Sequence, residues 1–254
     1  MATARIGTSG WAYAHWRERF YPRGLSPRDY LPYYSQHFDT VEINRSFYRL
    51  PTREQFQRWA DLTPPGFVFA VKASRLITHV QRLADVREPL AQLLGAASGL
   101  GPKLGPVLFQ LPPSLAVDLE RLDAFLALLP DGVRCVFEFR HPSWLVPAVF
   151  ERLRAAGCAL CWPVHPVWPL AREVTSDFTY IRFHASRAGA SFPDEELRAW
   201  AGEIGDLLAR GLDVYAYFNN DINAYAVANA RTLRALLAAS LDPAERSGEG
   251  RSGA

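Results

Sequence analysis

The chain has 254 residues, of which 49% are hydrophobic, so it is long enough to bury the core of one globular domain. Its formal net charge of +2 argues against a surface devoted to polyanions, and nucleic acid is an unexpected partner. The chain shows no signal-like start and no apolar run of membrane-spanning length, so we expect a cytoplasmic protein with no membrane partner.

Eight short segments have the alternating apolar pattern of strands, at 5–11, 40–48, 67–73, 105–112, 134–141, 159–164, 178–185 and 213–221. Segments with an apolar period near 3.6 residues follow most of them, at 26–38, 53–62, 88–100, 118–129, 146–157, 194–211 and 224–240. Alternating strands and helices imply parallel pairing through right-handed crossovers. We therefore predict an α/β fold, a single-domain (β/α)8 TIM-type barrel over residues 1–241, in preference to a doubly wound open sheet.

Two further features concern parts of the chain outside this pattern. Residues 242–254 are small, polar and rich in glycine, and we expect a disordered tail there. Cys158 and Cys161 form a C-x-x-C pair, but an offset of three along a strand directs the two thiols to opposite faces. Together with Cys135, they are interpreted as buried structural thiols rather than as a redox or metal pair.

Polar residues gather on one alternating face of the predicted strands, mostly near the strand ends. They are Glu42, Asn44, Lys72, Gln110, Glu138, Arg140, Arg182, His184, Asn219 and Asp221. Apolar residues such as Phe69 and Phe183 occupy the opposite face. Because (β/α)8 barrels place active sites at the carboxyl ends of their strands, we expect this polar set to converge in one pocket.

Four of these residues are candidates for catalysis. Glu42 is suited to general acid or base chemistry, or alternatively neutralises Lys72 on the next strand. Glu138 is expected to pair with a neighbouring arginine, which favours orientation or electrostatics over proton transfer. His184 titrates in the physiological range and is either a proton carrier or a satisfied core histidine. Asp221 is expected to orient His184 or to accept a hydrogen bond from a ligand.

The remaining inward residues are candidates for substrate binding. Arg182 and Arg140 are expected to bind a phosphate or carboxylate, Arg182 in a bidentate manner. Asn44 and Asn219 are expected to orient the ligand, although asparagine is also a common turn residue. Lys72 is interpreted as a charge partner rather than as a Schiff-base nucleophile.

Aromatic residues crowd the predicted mouth of the barrel. Trp11 and Trp144 each follow a strand directly, so we expect them to stack on a ligand, with His141 beside them on the rim. Other aromatic residues, among them Trp168, are expected to pack helices against the barrel at least in part.

A divalent metal is the minority interpretation of the same pocket. The side chains with suitable donor atoms are Glu42, Glu138, His184 and Asp221. Three fixed cations, Lys72, Arg140 and Arg182, share that interior and would repel a metal ion. The balance of three acids against three cations favours a small anionic ligand, and we predict no cofactor.

Several motifs, in order, resemble those of the YecE-like proteins, the domain of unknown function 72 family. They are TSGW (8–11), VEIN-x-x-FY-x-LP (41–51), F-x-FAVKASRLITH (67–79), LFQLPPS (108–114), EFRHPSW (138–144), YIRFH (180–184) and YFNND-x-x-x-x-A-x-x-NA (217–230). The resemblance implies a TIM-type barrel with a pocket of acids and bases at the carboxyl ends of the strands, and no established activity. It marks as important Glu42, Asn44, Lys72, His79, Gln110, Glu138, Arg140, His141, Trp144, Arg182, His184, Asn219, Asn220 and Asp221.

Three functional hypotheses follow from this pocket. The first is an enzyme acting on a small anionic substrate, such as a phosphorylated sugar or a nucleotide-like compound. The second is a metal-dependent enzyme that processes phosphodiesters or sugars. The third is a non-catalytic protein that binds the same ligand without turnover.

Overall fold

The structure, a computed structural model, describes residues 1–242. Each strand pairs in parallel with the next, and β8 pairs with β1, so the sheet closes into a barrel. The strands are β1 (Ala4–Ser9), β2 (Thr40–Ile43), β3 (Val68–Lys72), β4 (Leu104–Gln110), β5 (Cys135–Glu138), β6 (Ala159–Val164), β7 (Phe178–Phe183) and β8 (Asp213–Phe218). The predicted (β/α)8 barrel is confirmed. Of the tail predicted at 242–254, all but residue 242 lies outside the described residues.

The helices are α1 (Tyr30–Tyr34), α2 (Arg45–Tyr48), α3 (Arg53–Asp61), α4 (Arg87–Ala97), α5 (Leu119–Leu126), α6 (Pro147–Ala155), α7 (Asp194–Ala209) and α8 (Tyr225–Leu241). The sequence explains where they begin: Thr52, for example, accepts a hydrogen bond from the Gln55 backbone in a capping box. Residues 165–177, between β6 and β7, contain no helix. No helix in the described part of the chain is long and apolar enough to cross a membrane.

The second predicted strand is too long. Residues 45–48 were expected to continue it, but β2 ends at Ile43 and Asn44 already has helical backbone angles. The Ser46 hydroxyl donates to the carbonyl oxygens of Ile43 and Lys72, at 3.0 and 2.6 Å, which folds α2 over the end of β3. This helix brings Phe47 to the barrel mouth, where an extended strand would not have placed it.

The barrel sheet separates two hydrophobic layers, one inside the barrel and one between the strands and the helices. Inside the barrel lie Ala70, Leu108, Val136, Ala159, Cys161, Phe178, Tyr180, Tyr215 and Tyr217. Residues of the opposite parity, such as Phe69, Phe137 and Phe183, pack in the layer between strands and helices. The three cysteines are free and buried, as predicted. The inward face therefore changes from apolar and tyrosine side chains to charged ones toward the carboxyl ends of the strands.

Candidate active site at the barrel mouth

Arg182, from β7, joins two buried glutamates that come from β2 and β5. Its Nε and Nη2 donate to the two carboxylate oxygens of Glu42, at 2.9 and 2.8 Å. Its Nη1 donates to Oε2 of Glu138 at 2.7 Å. All three side chains are at most 1% exposed. The guanidinium already engages two internal carboxylates, so the binding of a ligand anion by Arg182 stays a prediction that this arrangement does not favour.

Glu42 is saturated with hydrogen bonds. Besides the two from Arg182, its carboxylate accepts one from the Ser9 hydroxyl and one from the Tyr180 hydroxyl, the latter at 2.6 Å. Four donors match the four lone-pair sites of a carboxylate. Burial alone would raise the pKa of Glu42, but the Arg182 charge and these hydrogen bonds outweigh it and lower the pKa. Glu42 is thus a fixed anion here, and its predicted role as a general acid or base is not supported.

Glu138 pairs with Arg140, as predicted. The Nε and Nη2 atoms of Arg140 both contact Oε1 of Glu138. Burial opposes ionisation of Glu138, but the charges of Arg182 and Arg140 prevail and hold its pKa well below the ordinary range. The outer face of the Arg140 guanidinium is covered by the Trp168 ring, whose centroid lies 3.3 Å from Cζ.

Lys72 ends β3 inside the mouth, and its ammonium group is not used by the network. Its Nζ lies 4.2 Å from the Phe47 ring centroid, and no carboxylate of residues 1–242 lies within ion-pair distance. The predicted pairing with Glu42 is wrong, because Arg182 engages both oxygens of that carboxylate. Desolvation, reinforced by the Arg182 charge, lowers the pKa of Lys72 to about 8.

His184 and Asn219 lie together at the mouth. The Nε2 atom of His184 faces Nη2 of Arg140 and Nη1 of Arg182, each at 3.3 Å. Arginine N–H groups only donate, so Nε2 accepts and the proton of the neutral ring lies on Nδ1. Nδ1 is 3.0 Å from Nδ2 of the Asn219 amide, and because two N–H donors cannot bond to each other, a proton on Nδ1 requires the amide turned by 180° so that its oxygen accepts. Burial and the Arg182 charge lower the pKa of His184 well below its usual value, so the ring is neutral at pH 7.

Asp221 does not orient His184. Its carboxylate lies 3.2 Å from Nε2 of His15 on the rim, and Asn219 takes the predicted place beside His184. The reason is that β8 ends at Phe218, so Asn219 alone continues the inward alternation. Residues 220 and 221 belong to the turn that precedes α8.

Two of the other predicted contacts are buried structural groups. Trp144 is fully buried: its ring stacks on Phe139 at 4.6 Å, and its Nε1 donates to the Leu115 carbonyl oxygen at 2.7 Å. The prediction that Trp144 stacks on a ligand is therefore wrong, because Pro142–Trp144 forms a 3-10 turn that carries the ring into the outer core. Asn220 is buried and donates to the Ala190 carbonyl oxygen at 2.8 Å, so it holds the loop after β7.

The four remaining predicted residues lie at or after the carboxyl ends of β1, β3, β4 and β5. Trp11 is half-buried edge-to-face against Trp59, 5.2 Å away. The side chains of His79, Gln110 and His141 are each engaged by a group near in sequence. His79 Nδ1 contacts Thr78 Oγ1 at 2.9 Å, Gln110 Nε2 donates to the Leu111 carbonyl oxygen, and His141 Nδ1 contacts Ser143 Oγ. Only His79 is tied to the charged centre, since Lys72 and Arg140 add to burial in lowering its pKa.

The donor set does not suit a divalent metal. Among residues 1–242, no three His, Cys, Asp or Glu side chains are grouped as metal ligands. Of the four ligands weighed from the sequence, Asp221 lies with His15, and Arg182 donates hydrogen bonds to both Glu42 and Glu138. A guanidinium in that position repels a cation.

Sequence reasoning missed two residues that shape the site, Ser9 and Tyr180, which donate to Glu42. Strand parity could have found Tyr180, which lies two residues before Arg182 on the same face. Phe47 and Trp168 were among the aromatic residues predicted at the mouth, at least half of which were expected to pack helices against the barrel. Phe47 covers Lys72, and the Trp168 ring lies over Arg140 and 4.6 Å from the His184 ring.

The comparisons with known proteins agree with this architecture. A family model described as "Protein of unknown function DUF72" matches residues 5–249. YunF of Bacillus subtilis, a UPF0759 protein, is 28% identical over 91% of this chain and 94% of its own length. YecE of Escherichia coli K12 is 31% identical over 60% of this chain and 54% of its own length. The crystal structure of a DUF72 family protein from Thermotoga maritima, 28% identical, superposes with a TM-score of 0.84 over 93% of this chain and 99% of that one. This chain therefore belongs to the DUF72 family of proteins of unknown function.

Proposed function

We propose that this protein is an enzyme that acts on a small anionic substrate, a phosphorylated sugar or a nucleotide-like compound, bound at the mouth of the barrel. The observation that carries the proposal is the imbalance of buried charge. Lys72, Arg140 and Arg182 are three cations, whereas the carboxylates that act on them are Glu42 and Glu138. A partly buried excess of positive charge is costly unless a ligand neutralises it.

The structure supports a division of labour among the mouth residues. Lys72 is the cation without a carboxylate partner in the described part of the chain, and the charge of Arg140 acts on it. Nη1 of Arg140 is the guanidinium nitrogen that contacts neither Glu138 nor His184. The Asn44 Oδ1 atom is buried without a hydrogen-bond partner in the described part of the chain, which suits a ligand hydroxyl group. His184 is neutral at pH 7, and its Nε2 can accept a proton from the bound substrate in exchange for an arginine hydrogen bond. Arg182 and Glu42 lie deeper in the barrel interior and hold the mouth residues in position.

Thermal unfolding in the presence of ligands tests the proposal. Inorganic phosphate, dihydroxyacetone phosphate and a nucleoside monophosphate are compared with dihydroxyacetone and the free nucleoside. A ligand that binds the native state raises Tm by mass action. We expect phosphorylated compounds to raise the Tm of wild type and not of Lys72→Met. Lys103→Met is the matched control, because it removes the same charge from a position outside the mouth and should keep the ligand response. Equal responses of phosphorylated and unphosphorylated compounds would contradict the proposal.

A non-catalytic ligand-binding protein is the second candidate. It is favoured by one observation, the saturation of Glu42 by four donors, which leaves fewer groups able to move protons. The two candidates differ in what happens to a ligand found by its Tm shift. Prolonged incubation followed by mass spectrometry should reveal a changed ligand if the protein is an enzyme, with loss of that change in His184→Gln. An unchanged ligand identifies the binding protein.

A further inference from the structure

Lysine is rare in this chain. Of 28 basic residues, only those at positions 72 and 103 are lysine, and the others are arginine. Arginine stays charged at all accessible pH values, whereas lysine is a compact amine that loses its proton when it is desolvated. Because the chain uses arginine almost everywhere, the two lysine side chains are compared for a role that arginine would not fill.

Lys103 has a structural role that uses its ammonium group fully. Its Nζ donates to the carbonyl oxygens of Ala60 and Thr63, both at 2.6 Å, and to the Thr63 hydroxyl at 3.1 Å. Ala60 lies in the last turn of α3, where unpaired carbonyl oxygens favour a cation. Three donors meet three acceptors, at a position just before the start of β4 and so away from the barrel mouth.

Lys72 has the opposite surroundings. Its Nζ contacts the face of Phe47 and has no hydrogen-bond acceptor among residues 1–242. The charged groups that act on it come from several strands: Arg182 and Arg140 favour the neutral amine, and Glu138 and Glu42 oppose them. His79, on the turn after β3, is half-buried. Its ring packs against the same Phe47 ring that Lys72 contacts, with the two ring centroids 5.0 Å apart. Desolvation is the largest influence, and the pKa of Lys72 falls to about 8.

We infer that Lys72 is a nucleophile that forms an imine with the carbonyl carbon of a small anionic aldehyde or ketone. The inference rests on the proposed function and narrows its substrate class to phosphorylated or carboxylated carbonyl compounds. The geometry that carries it is an unpaired amine at the late end of a barrel strand, 4.2 Å from the centroid of an apolar ring and within the field of the Arg140 charge. An anionic group on Arg140 holds the substrate while the neutral amine attacks.

The step balances without an oxidant or reductant. The nitrogen lone pair of Lys72 forms a C–N bond as the carbonyl π electrons move to oxygen, which takes up a proton. The amine loses its two protons in the course of the reaction, the oxygen leaves as water, and protonation of the imine gives an iminium ion. The iminium draws electrons from the adjacent carbon, so a C–H proton there passes to a neutral imidazole and leaves an enamine. The imidazolium then returns a proton to the enamine, which restores the iminium for hydrolysis. His184 and His79 are both kept neutral at pH 7 by burial, and hydrolysis by water frees the lysine.

Reductive trapping on the full chain tests the inference. The probes are pyridoxal 5′-phosphate and dihydroxyacetone phosphate, each with borohydride, and peptide mapping locates the adduct. A peptide lysine has a pKa near 10.4, so about 0.4% of it is neutral at pH 8, against roughly half of an amine whose pKa is about 8. We expect Lys72 to be labelled at least about tenfold faster than Lys103, with a rate that rises through pH 8. Pyridoxal, which lacks the phosphate, should label Lys72 more slowly than pyridoxal 5′-phosphate does.

The outcomes separate this inference from the proposed function. Labelling of Lys103 as fast as Lys72, or no adduct at Lys72, overturns the imine. If inorganic phosphate then still raises the Tm of wild type and not of Lys72→Met, the anion site stands with Lys72 as a point charge. If phosphate also has no effect, both proposals fall. Lys103→Arg, which keeps the positive charge, should leave Lys72 labelling unchanged, whereas Lys72→Arg should abolish it.

Discussion

The interior of the barrel has two levels that handle charge in opposite ways. At the lower level, Arg182 and Glu42 are almost completely buried, and each hydrogen-bonding edge has a partner. At the upper level, Lys72 lacks an ion partner and Asn44 has an unpaired buried oxygen. Saturated charges contribute specificity and rigidity. The most deeply buried charges in this barrel therefore hold one another in place, and the groups with unused hydrogen-bonding capacity lie nearer the mouth.

The largest expected loss of stability comes from removing Arg182, the cation of the lower level. Arg182→Met leaves two buried carboxylates without their shared cation, and we expect it to lower the free energy of unfolding by about 3–5 kcal/mol. Arg140→Met should cost less than half as much, because Glu138 keeps Arg182 as a partner. Urea denaturation at pH 7 measures both. Equal losses in the two variants would contradict the division into two levels.

Removal of the Tyr180 hydroxyl tests whether Glu42 needs all four of its hydrogen bonds. Tyr180→Phe removes the donor 2.6 Å from Oε2 and should cost about 1–3 kcal/mol, since a buried carboxylate loses one of four hydrogen bonds. The matched control is Tyr48→Phe, because Tyr48 is 77% exposed and should change stability by less than about 0.5 kcal/mol. The comparison uses urea denaturation, and a neutral result for Tyr180→Phe would mean that Glu42 is not held by this bond.

Acid should weaken the upper level before the lower one. The pKa of His184 is lower in the folded than in the unfolded state, so the unfolded chain binds more protons below about pH 6.5 and stability falls as pH decreases. The carboxylates Glu42 and Glu138 have lowered pKa values, and the stability they provide is lost only as pH falls below about 4.

Denaturation at pH 7 and pH 5.5 checks the first window. We expect the wild-type loss to include up to about 1.4 kcal/mol per pH unit from His184. The loss should be smaller in His184→Gln, though not absent, because burial also lowers the pKa of His79. His141→Gln is the control, because it removes another half-buried histidine that follows a strand at the same end of the barrel. An unchanged slope in His184→Gln would show that this ring is already charged in the native state.

The smallest expected effect concerns Trp168, which separates the barrel mouth from solvent. Trp168 covers the outer face of Arg140 and is itself half-buried. Trp168→Ala should cost about 1 kcal/mol or less, the size of a partly exposed cation–π contact. It should also tighten binding of inorganic phosphate severalfold, because the guanidinium face becomes accessible. Titration calorimetry measures this change, with Val167→Ala as the control, and weaker phosphate binding would mean that Trp168 helps to hold the ligand.

The sequence by itself determined the strands, their inward face and hence the residues available to the site. Alternation along a strand is a local property, so Glu42, Glu138, Arg182 and His184 are assigned to the interior without any tertiary information. The motifs also identified the family, which the family model and relatives confirm. The error in β2 was local too, since the same apolar pattern fits a short helix whose hydroxyl group bonds back to β3.

Only the tertiary structure decided which partners meet. Glu42 and Arg182 are 140 positions apart, and their contact depends on how the closed barrel brings β2 and β7 together. That contact excluded the pairing with Lys72 on the adjacent strand and left the amine unpaired. The choice of Trp168 over Trp144 at the mouth depended likewise on irregular loops, whose course is set by packing rather than by periodicity.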